Sequence, residues 1–452
     1  MYPGYKKNLI ACIILGALVG LSVYPGQLSV DATVMITQSY TSDYRDWHPP
    51  LYSFFYGMVQ TIEEGPAIIV LFNIVSYFLL VFALSVILVR KSRALSCLFI
   101  VLSITPWAIH ELHYVQKDVT IRNFVLSAIL FAYLLRRKFS VVRLSGLVLS
   151  LFFATSGRST VYIILVPVAM YLLPLHGRPI ITRAVVVSIS IGVGGGLLLL
   201  ANSAVDYGLI QAKHTKQGHI KHWLKCTDIY ALKIRNRHYG ADFPVTRELE
   251  RLYWTERGPR FGSQSVKACN SFIKENSLNK NRVWTSAIQD NKEEYLKHHL
   301  STYWKYWNGD EYLPLRNTSA RLWPERRDGT LPYDMDPSYE PLFPSLRQGY
   351  FSYLEYLLQK FQSTVALLAI SIIATFMFVR AFLRGRLAAG VDSIFLLMGA
   401  AALTYSVPYI ALTGIVEPRY MFPAKSLILL SIPFGLFLLQ KKSGQSIEVS
   451  AR

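Results

Sequence analysis

Nine stretches of this chain run almost without charge: 8–24, 66–89, 94–109, 119–135, 144–174, 184–204, 362–383, 389–414 and 420–440. A water-soluble helix shows one face to solvent and is therefore interrupted by polar residues at every turn or two. These runs are not, and crossing the hydrocarbon core takes about 20 apolar residues, fewer where a helix meets a thinned bilayer. With 52% hydrophobic residues over 452 positions, the chain reads as an α-helical polytopic membrane protein. The run 144–174 would be about 46 Å long as one helix, too long for one span and short for two. Letting it cross twice, with a turn near Ser156–Ser159, predicts about ten transmembrane helices.

The formal charge of +19 would suit nucleic acid, but its distribution argues otherwise. Lys6 and Lys7 precede the first run, Arg90, Lys91 and Arg93 follow the second, and Arg136, Arg137, Lys138 and Arg143 follow the fourth. Arg178, Arg183, Arg380, Arg384, Arg386, Lys441 and Lys442 continue the pattern. Basic residues in short connectors mark the cytoplasmic side, and one threading places all of these there. The balance therefore points to a lipid bilayer, with no nucleic-acid partner. The first run has the basic start of a signal peptide but no clean small-x-small cleavage site, and is read as an uncleaved helix.

That threading divides the chain into an N-terminal transmembrane module, 1–204, with a first outer loop at 25–65. A large extracytoplasmic domain follows at 205–361, then a C-terminal transmembrane module at 362–452. The connectors on the basic side have no room for a nucleotide-binding domain. The glycine cluster Gly192–Gly196 lacks the Lys-Ser/Thr of a phosphate-binding loop. Cys226 and Cys269 both fall in 205–361, on the oxidising side, and suggest a disulfide. Cys12 and Cys97 lie in spans as packing residues.

Ionisable residues gather in four islands. Asp31 follows the first span, where it could cap a helix or act chemically. Residues after it can form an interfacial helix with Val34, Met35 and Tyr40 toward lipid. Asp43, Arg45, Asp46, Trp47 and His48 then crowd together before Pro49-Pro50, which forces extended backbone and ends helix propagation. Leu51–Tyr56, with Tyr52 in it, starts a second, aromatic interfacial element. The next island is His110, Glu111, His113, Lys117 and Asp118, either a solvated loop or the second wall of one cavity. The His/Glu spacing matches no specific zinc pattern. Arg158 interrupts an apolar run, and Arg419-Tyr420 with Lys425 enters the last one. Each arginine is either an interfacial anchor or a fork for an anion.

The order acid, interfacial helix, His-Pro-Pro-Leu-Tyr, aromatic helix resembles the first outer loop of the GT-C glycosyltransferases. These polytopic enzymes use sugars linked to lipid phosphates. The likeness covers the topology of the whole chain, but its sequence support is confined to short islands. Relatives carry Asp-Glu or a single Asp here; in this chain Asp31 is followed by Ala32, so the second acidic role, such as metal binding, lacks its residue.

The resemblance implies a membrane glycosyltransferase, with O-antigen-modifying glucosyltransferases, which share this plan, as a candidate subgroup. Such an enzyme moves a sugar from a polyprenyl-phosphate donor to an envelope polysaccharide or lipid acceptor outside a bacterial inner membrane. By the same likeness Asp31 is the base, with Asp43 or Asp46 in reserve. Lys117, Arg158, Arg419 and Lys425 hold the donor phosphate with His48, and Trp47, Tyr52, His110, Glu111, His113 and Asp118 line the cavity. No cofactor is fixed, and a divalent metal stays open. A polysaccharide polymerase or ligase, with its essential residues in 205–361, and a non-enzymatic transporter are the rival readings. His298, His299, Trp304, Trp307 and Trp323 form either an acceptor platform or the core of the large loop.

Overall fold

The structure is a computed structural model that describes residues 3–28, 30–46, 48–63, 65–173, 178–213, 218–235, 280–308, 342–360, 363–387, 390–412 and 418–442. It is almost wholly helical. Helix α1 spans Pro3–Val23, α2 Val30–Thr41, α3 Pro50–Gln60, α4 Ala67–Val89, α5 Arg93–Leu102 and α6 Pro106–Ile109. Next come α7 over Lys117–Arg137, α8 over Val141–Gly157, α9 over Leu165–Leu172 and α10 over Ile180–Ser203. Beyond them lie α11 (Gly218–Arg235), α12 (Lys280–Asp290), α13 (Lys292–Asn308), α14 (Pro344–Lys360) and α15 (Val365–Leu383). The last are α16 (Asp392–Ser406), α17 (Pro408–Leu412) and α18 (Phe422–Lys442). Two short strands, β1 (Gln27–Leu28) and β2 (Tyr114–Val115), pair in parallel.

Seven segments among the described residues are long and apolar enough to cross a membrane: Gly4–Val23, Ala67–Val89, Lys117–Arg137, Ile180–Leu209, Val365–Leu383, Asp392–Ile410 and Phe422–Gln440. Three shorter apolar helices, Arg93–Leu102, Val141–Gly157 and Ser159–Leu172, overlap the apolar runs 94–109 and 144–174. Helix α4 has 23 residues without a charge, about 34 Å at 1.5 Å per residue, which matches the hydrocarbon thickness. Apolar side chains on α10, among them Ile181, Ile189, Leu197 and Leu200, stand exposed on the side away from the buried Arg183, Val187 and Asn202, as expected where the solvent is lipid. A Cβ placed at Gly192, Gly194 or Gly196 would meet nothing within 4 Å, so these glycines mark no close helix crossing.

The turn inside 144–174 forms as the charge at Arg158 suggested. Helix α8 ends at Gly157, Arg158 is fully extended (φ −163°, ψ 127°), and a 3-10 turn, Ser159–Ile164, leads into α9. The end of α9 returns to the level of the end of α7, where Arg136 donates to the Tyr171 carbonyl.

The basic connectors collect at one end of the bundle. There Arg90 bonds the Tyr5 hydroxyl, Arg136 also donates to Leu387 O at 2.7 Å, and Arg183 donates to Phe382 O at 2.7 Å and Leu383 O at 2.9 Å. Guanidinium groups suit this place, because the last carbonyls of a helix have no partner in the helix and carry partial negative charge. Helices α4 and α7 run parallel toward that end. They are stapled near their starts by Thr120 Oγ1 donating to Asn73 Oδ1 at 2.9 Å and Asn123 Nδ2 donating to Asn73 O at 2.9 Å.

Within this core α7 carries Arg122, fully buried. Its guanidinium donates to Ala108 O and to Asn123 Oδ1, and lies 4.1 Å over the Tyr77 ring and 4.8 Å over Phe422. Backbone oxygen, an amide and two π faces make a buried charge tolerable here.

Helix α2 differs from the expected orientation. Val34 is exposed, but Met35 is fully buried, together with Ala32 and Ile36. The helix packs that edge against α3 through contacts such as Ser53 Oγ to Gln38 Oε1 at 3.1 Å, so its apolar stripe is spent on protein and not on lipid.

The helical stretch 280–308 is broken at Asn291 between α12 and α13. There the Asn291 side chain donates to Ala287 O at 2.9 Å. His298, His299 and Trp307 are buried, in line with a core role, whereas Trp304 is exposed. Trp323 lies outside the described residues.

Candidate functional site

The β1–β2 ladder sets the site. Gln27 pairs with Tyr114 and Leu28 with Val115, side by side and in the same direction. Three residues beyond Leu28 comes Asp31, in the first turn of α2, and two beyond Val115 comes Lys117, which opens α7. Parallel strands feeding two helices bring both helix starts to one level. Free N–H groups and the positive end of the helix dipole favour acids at such starts, and Asp31 and Asp118 occupy them. Lys117 Nζ lies 3.2 Å from Asp31 Oδ2.

Arg158 closes the cluster from the facing helix pair. Its Nη2 lies 2.8 Å from Asp118 Oδ1 and 3.1 Å from Asp118 Oδ2, and its Nη1 donates to the Tyr409 hydroxyl at 2.6 Å. The guanidinium sits 4.4 Å over the Tyr420 ring. Asp118 has no exposed side-chain surface, whereas Asp31 keeps 17%, Lys117 11% and Arg158 13%. The inner acid is thus sealed while the other three groups keep an opening.

Tyr52 forms part of the wall, with its hydroxyl donating to Phe153 O at 2.9 Å. A Cβ placed at Gly157 would stand 2.6 Å from Ile121 and 3.0 Å from Tyr52. Only glycine lets α8 end this close to α3 and α7.

The Asp43–His48 stretch lies toward the 205–213 segment. Asp43 pairs with Arg45 at 2.7 Å and Lys213 at 2.9 Å. Those two hydrogen bonds, Lys213's first and then Arg45's, hold its carboxyl below the usual aspartate range. Asp46 Oδ2 accepts from the Tyr207 hydroxyl at 3.2 Å, and Asp206 Oδ1 accepts the Leu51 N–H at 3.2 Å. Asp206 thereby supplies the acceptor that Pro49, at the N-cap of α3, lacks. His48 is buried at 5% exposure. Trp47 lies outside the described residues.

His110 and His113 pack against α18 and α14. His110 Nε2 is 3.2 Å from Glu111 Oε1, its Nδ1 is 2.8 Å from Pro106 O, and its ring meets Phe422 edge-on at 5.0 Å. His113 packs on Phe351 at 5.1 Å, and burial pushes it down to about 3, so it is a neutral packing group. Lys425, buried at 2%, donates to Tyr306 O and stands 5.5 Å over the Trp307 ring. It latches α18 to α13. Arg419 belongs to the 3-10 turn Pro418–Met421, and its side chain lies outside the described residues. Cys226 is disulfide-bonded and Cys12 and Cys97 are free; Cys269 lies outside the described residues.

Sequence reasoning missed Tyr409, Tyr405 and Asp206. Tyr405 and Tyr409 are four residues apart, hence on one helical face, and that spacing inside an apolar run was the signal for a polar face. Chemically the cluster offers a partly exposed carboxylate on a lysine and an arginine braced by a buried acid and two phenols. Comparisons with family models, with curated proteins and with solved structures find no match to this chain.

Proposed function

We propose that the chain is a membrane glycosyltransferase. It moves a sugar from a polyprenyl-phosphate donor to an envelope glycan or lipid acceptor, on the extracytoplasmic side of a bacterial inner membrane. The observation that carries this reading is the Asp31–Lys117 pair at 3.2 Å, beside Arg158, at the bundle end opposite the basic connectors. The three shorter apolar helices complete ten crossings in this reading, and the basic end is cytoplasmic by the positive-inside rule.

The chemistry follows from the charges. The acceptor hydroxyl oxygen attacks the anomeric carbon, the bond from that carbon to the phosphate oxygen breaks, and the phosphate keeps the electron pair. Asp31 takes the hydroxyl proton. The donor phosphodiester carries one negative charge and the departing monoester two, so Lys117 and Arg158 gain most as the bond breaks. When Lys117 turns to the phosphate, Asp31 loses its counter-ion and becomes the stronger base. Tyr52 and its aromatic neighbours on α3 flank the donor lipid.

Transfer assayed in membrane vesicles with a labelled polyprenyl-phosphate sugar tests the reading. Asp31→Asn is expected to abolish transfer while the protein inserts and melts as the wild type does. Full transfer by Asp31→Asn overturns the assignment of the base. The rival polymerase or ligase reading gains if transfer survives Asp31→Asn and Lys117→Met but fails on substitutions within 205–361.

A further inference from the structure

A second polar cluster lies in the described part of 205–361, between α11 and α13. It consists of Asp228 on α11 and the consecutive pair His298 and His299 on α13, with residue exposures of 3%, 1% and 3%. One ligand atom from each comes within 4.8 Å of the others. His299 Nε2 is 3.2 Å from Asp228 Oδ1, and Asp228 Oδ2 accepts the Trp284 Nε1–H from α12 at 2.9 Å. The Nδ1 atom of His299 is buried without a hydrogen-bond partner. Consecutive helix residues diverge by about 100° around the axis, so one of the two histidines would ordinarily turn outward. Here both are held inside, their rings 5.2 Å apart.

We propose that Asp228, His298 and His299 bind a divalent transition-metal ion of the zinc class, as a brace between α11 and α13. Two imidazole nitrogens and one carboxylate oxygen form a ligand set that suits Zn2+ and disfavours Mg2+ or Ca2+, which prefer oxygen alone. Trp284 orients the carboxylate through its second oxygen, as the partners of metal-bound carboxylates do. The place also suits a brace. Cys226, two residues before Asp228, is disulfide-bonded, and α13 is tied to the membrane bundle by Tyr303 to Ser406 at 2.9 Å and by Lys425 to Tyr306 O. An ion here would join α11 to that anchored helix. The site is independent of the glycosyltransferase reading.

The test uses the full-length protein in detergent, stripped with a chelator and then titrated with Zn2+ or Co2+ alone. Stripped wild type is expected to take up a single equivalent of Zn2+, to melt at a higher temperature with Zn2+ than without, and to give the visible ligand-field bands of low-symmetry Co2+. Asp228→Asn and His298→Gln should each weaken uptake by at least about tenfold, while Asp31→Asn leaves it unchanged. The melting and Co2+ measurements need only wild type, so a variant that misfolds does not decide the matter. No uptake by stripped wild type, or Co2+ bound without those bands, overturns the site.

Discussion

Arg158 and Asp118 form an ion pair at 2.8 Å in which the acid has no exposed side-chain surface. Removing one member of such a pair leaves a charge that neither water nor protein neutralises. That costs about 3–5 kcal/mol, whereas removing both together costs far less. Arg158→Met is therefore expected to lower thermal stability in detergent sharply. The double variant Arg158→Met/Asp118→Asn should recover much of the loss. Simple additivity in that cycle would show that the two groups are not coupled.

Gly157→Ala places a methyl where Ile121 and Tyr52 already stand at 2.6 and 3.0 Å. Overpacking of this kind costs about 1–3 kcal/mol. The strain is relieved by moving α3 or α8, and with α8 the backbone of Arg158. The expected result is a lower melting temperature together with a loss of transfer larger than that stability change explains. Gly192→Ala, where a Cβ meets nothing within 4 Å, is the control expected to change neither.

Asp43 offers a pH test at the edge of the site. Its carboxyl is held below the ordinary 3.8 by hydrogen bonds from Lys213 and then Arg45. A depressed folded-state value means the pairing contributes fully above the unfolded value and is lost as pH falls through the lower, folded one. Wild type is expected to exceed Asp43→Asn in melting temperature at neutral pH. The gap should close only in strongly acidic buffer, and it should shrink with added salt because the pair is partly exposed. A gap that closes near pH 6 would mean another group is responsible.

The spans were readable because an uninterrupted apolar run has few fates other than a membrane. Arg158 stood out for the same reason, as a charge that such a run tolerates only with a partner. The partner itself was hidden. Lys117 reaches Asp31 because Gln27–Leu28 meets Tyr114–Val115, and two-residue strands leave no periodicity to read; Asp118 meets Arg158 through the packing of α8 on α7. By local pattern Met35 faces lipid, because an isolated amphipathic helix beside a span suits an interface. The buried edge of α2 instead answers to α3, a tertiary neighbour that local pattern does not announce. The place of Lys425 after Arg419-Tyr420 suggests a phosphate ligand, and its ammonium also donates to Tyr306 O and stands over the Trp307 ring. No count of turns along α18 could have located α13 above it.

The two-residue ladder also sets which length changes this family of structures could survive. A residue inserted between Leu28 and Asp31, or between Val115 and Lys117, would turn one helix by about 100° against the other and carry its charge to the far side. A residue inserted at Ser42, a turn position with φ 50° between α2 and the Asp43 pairing, displaces no member of the Asp31–Arg158 cluster. Descendants of this chain are therefore free to lengthen the first loop at its tip, and held to the residue at its root.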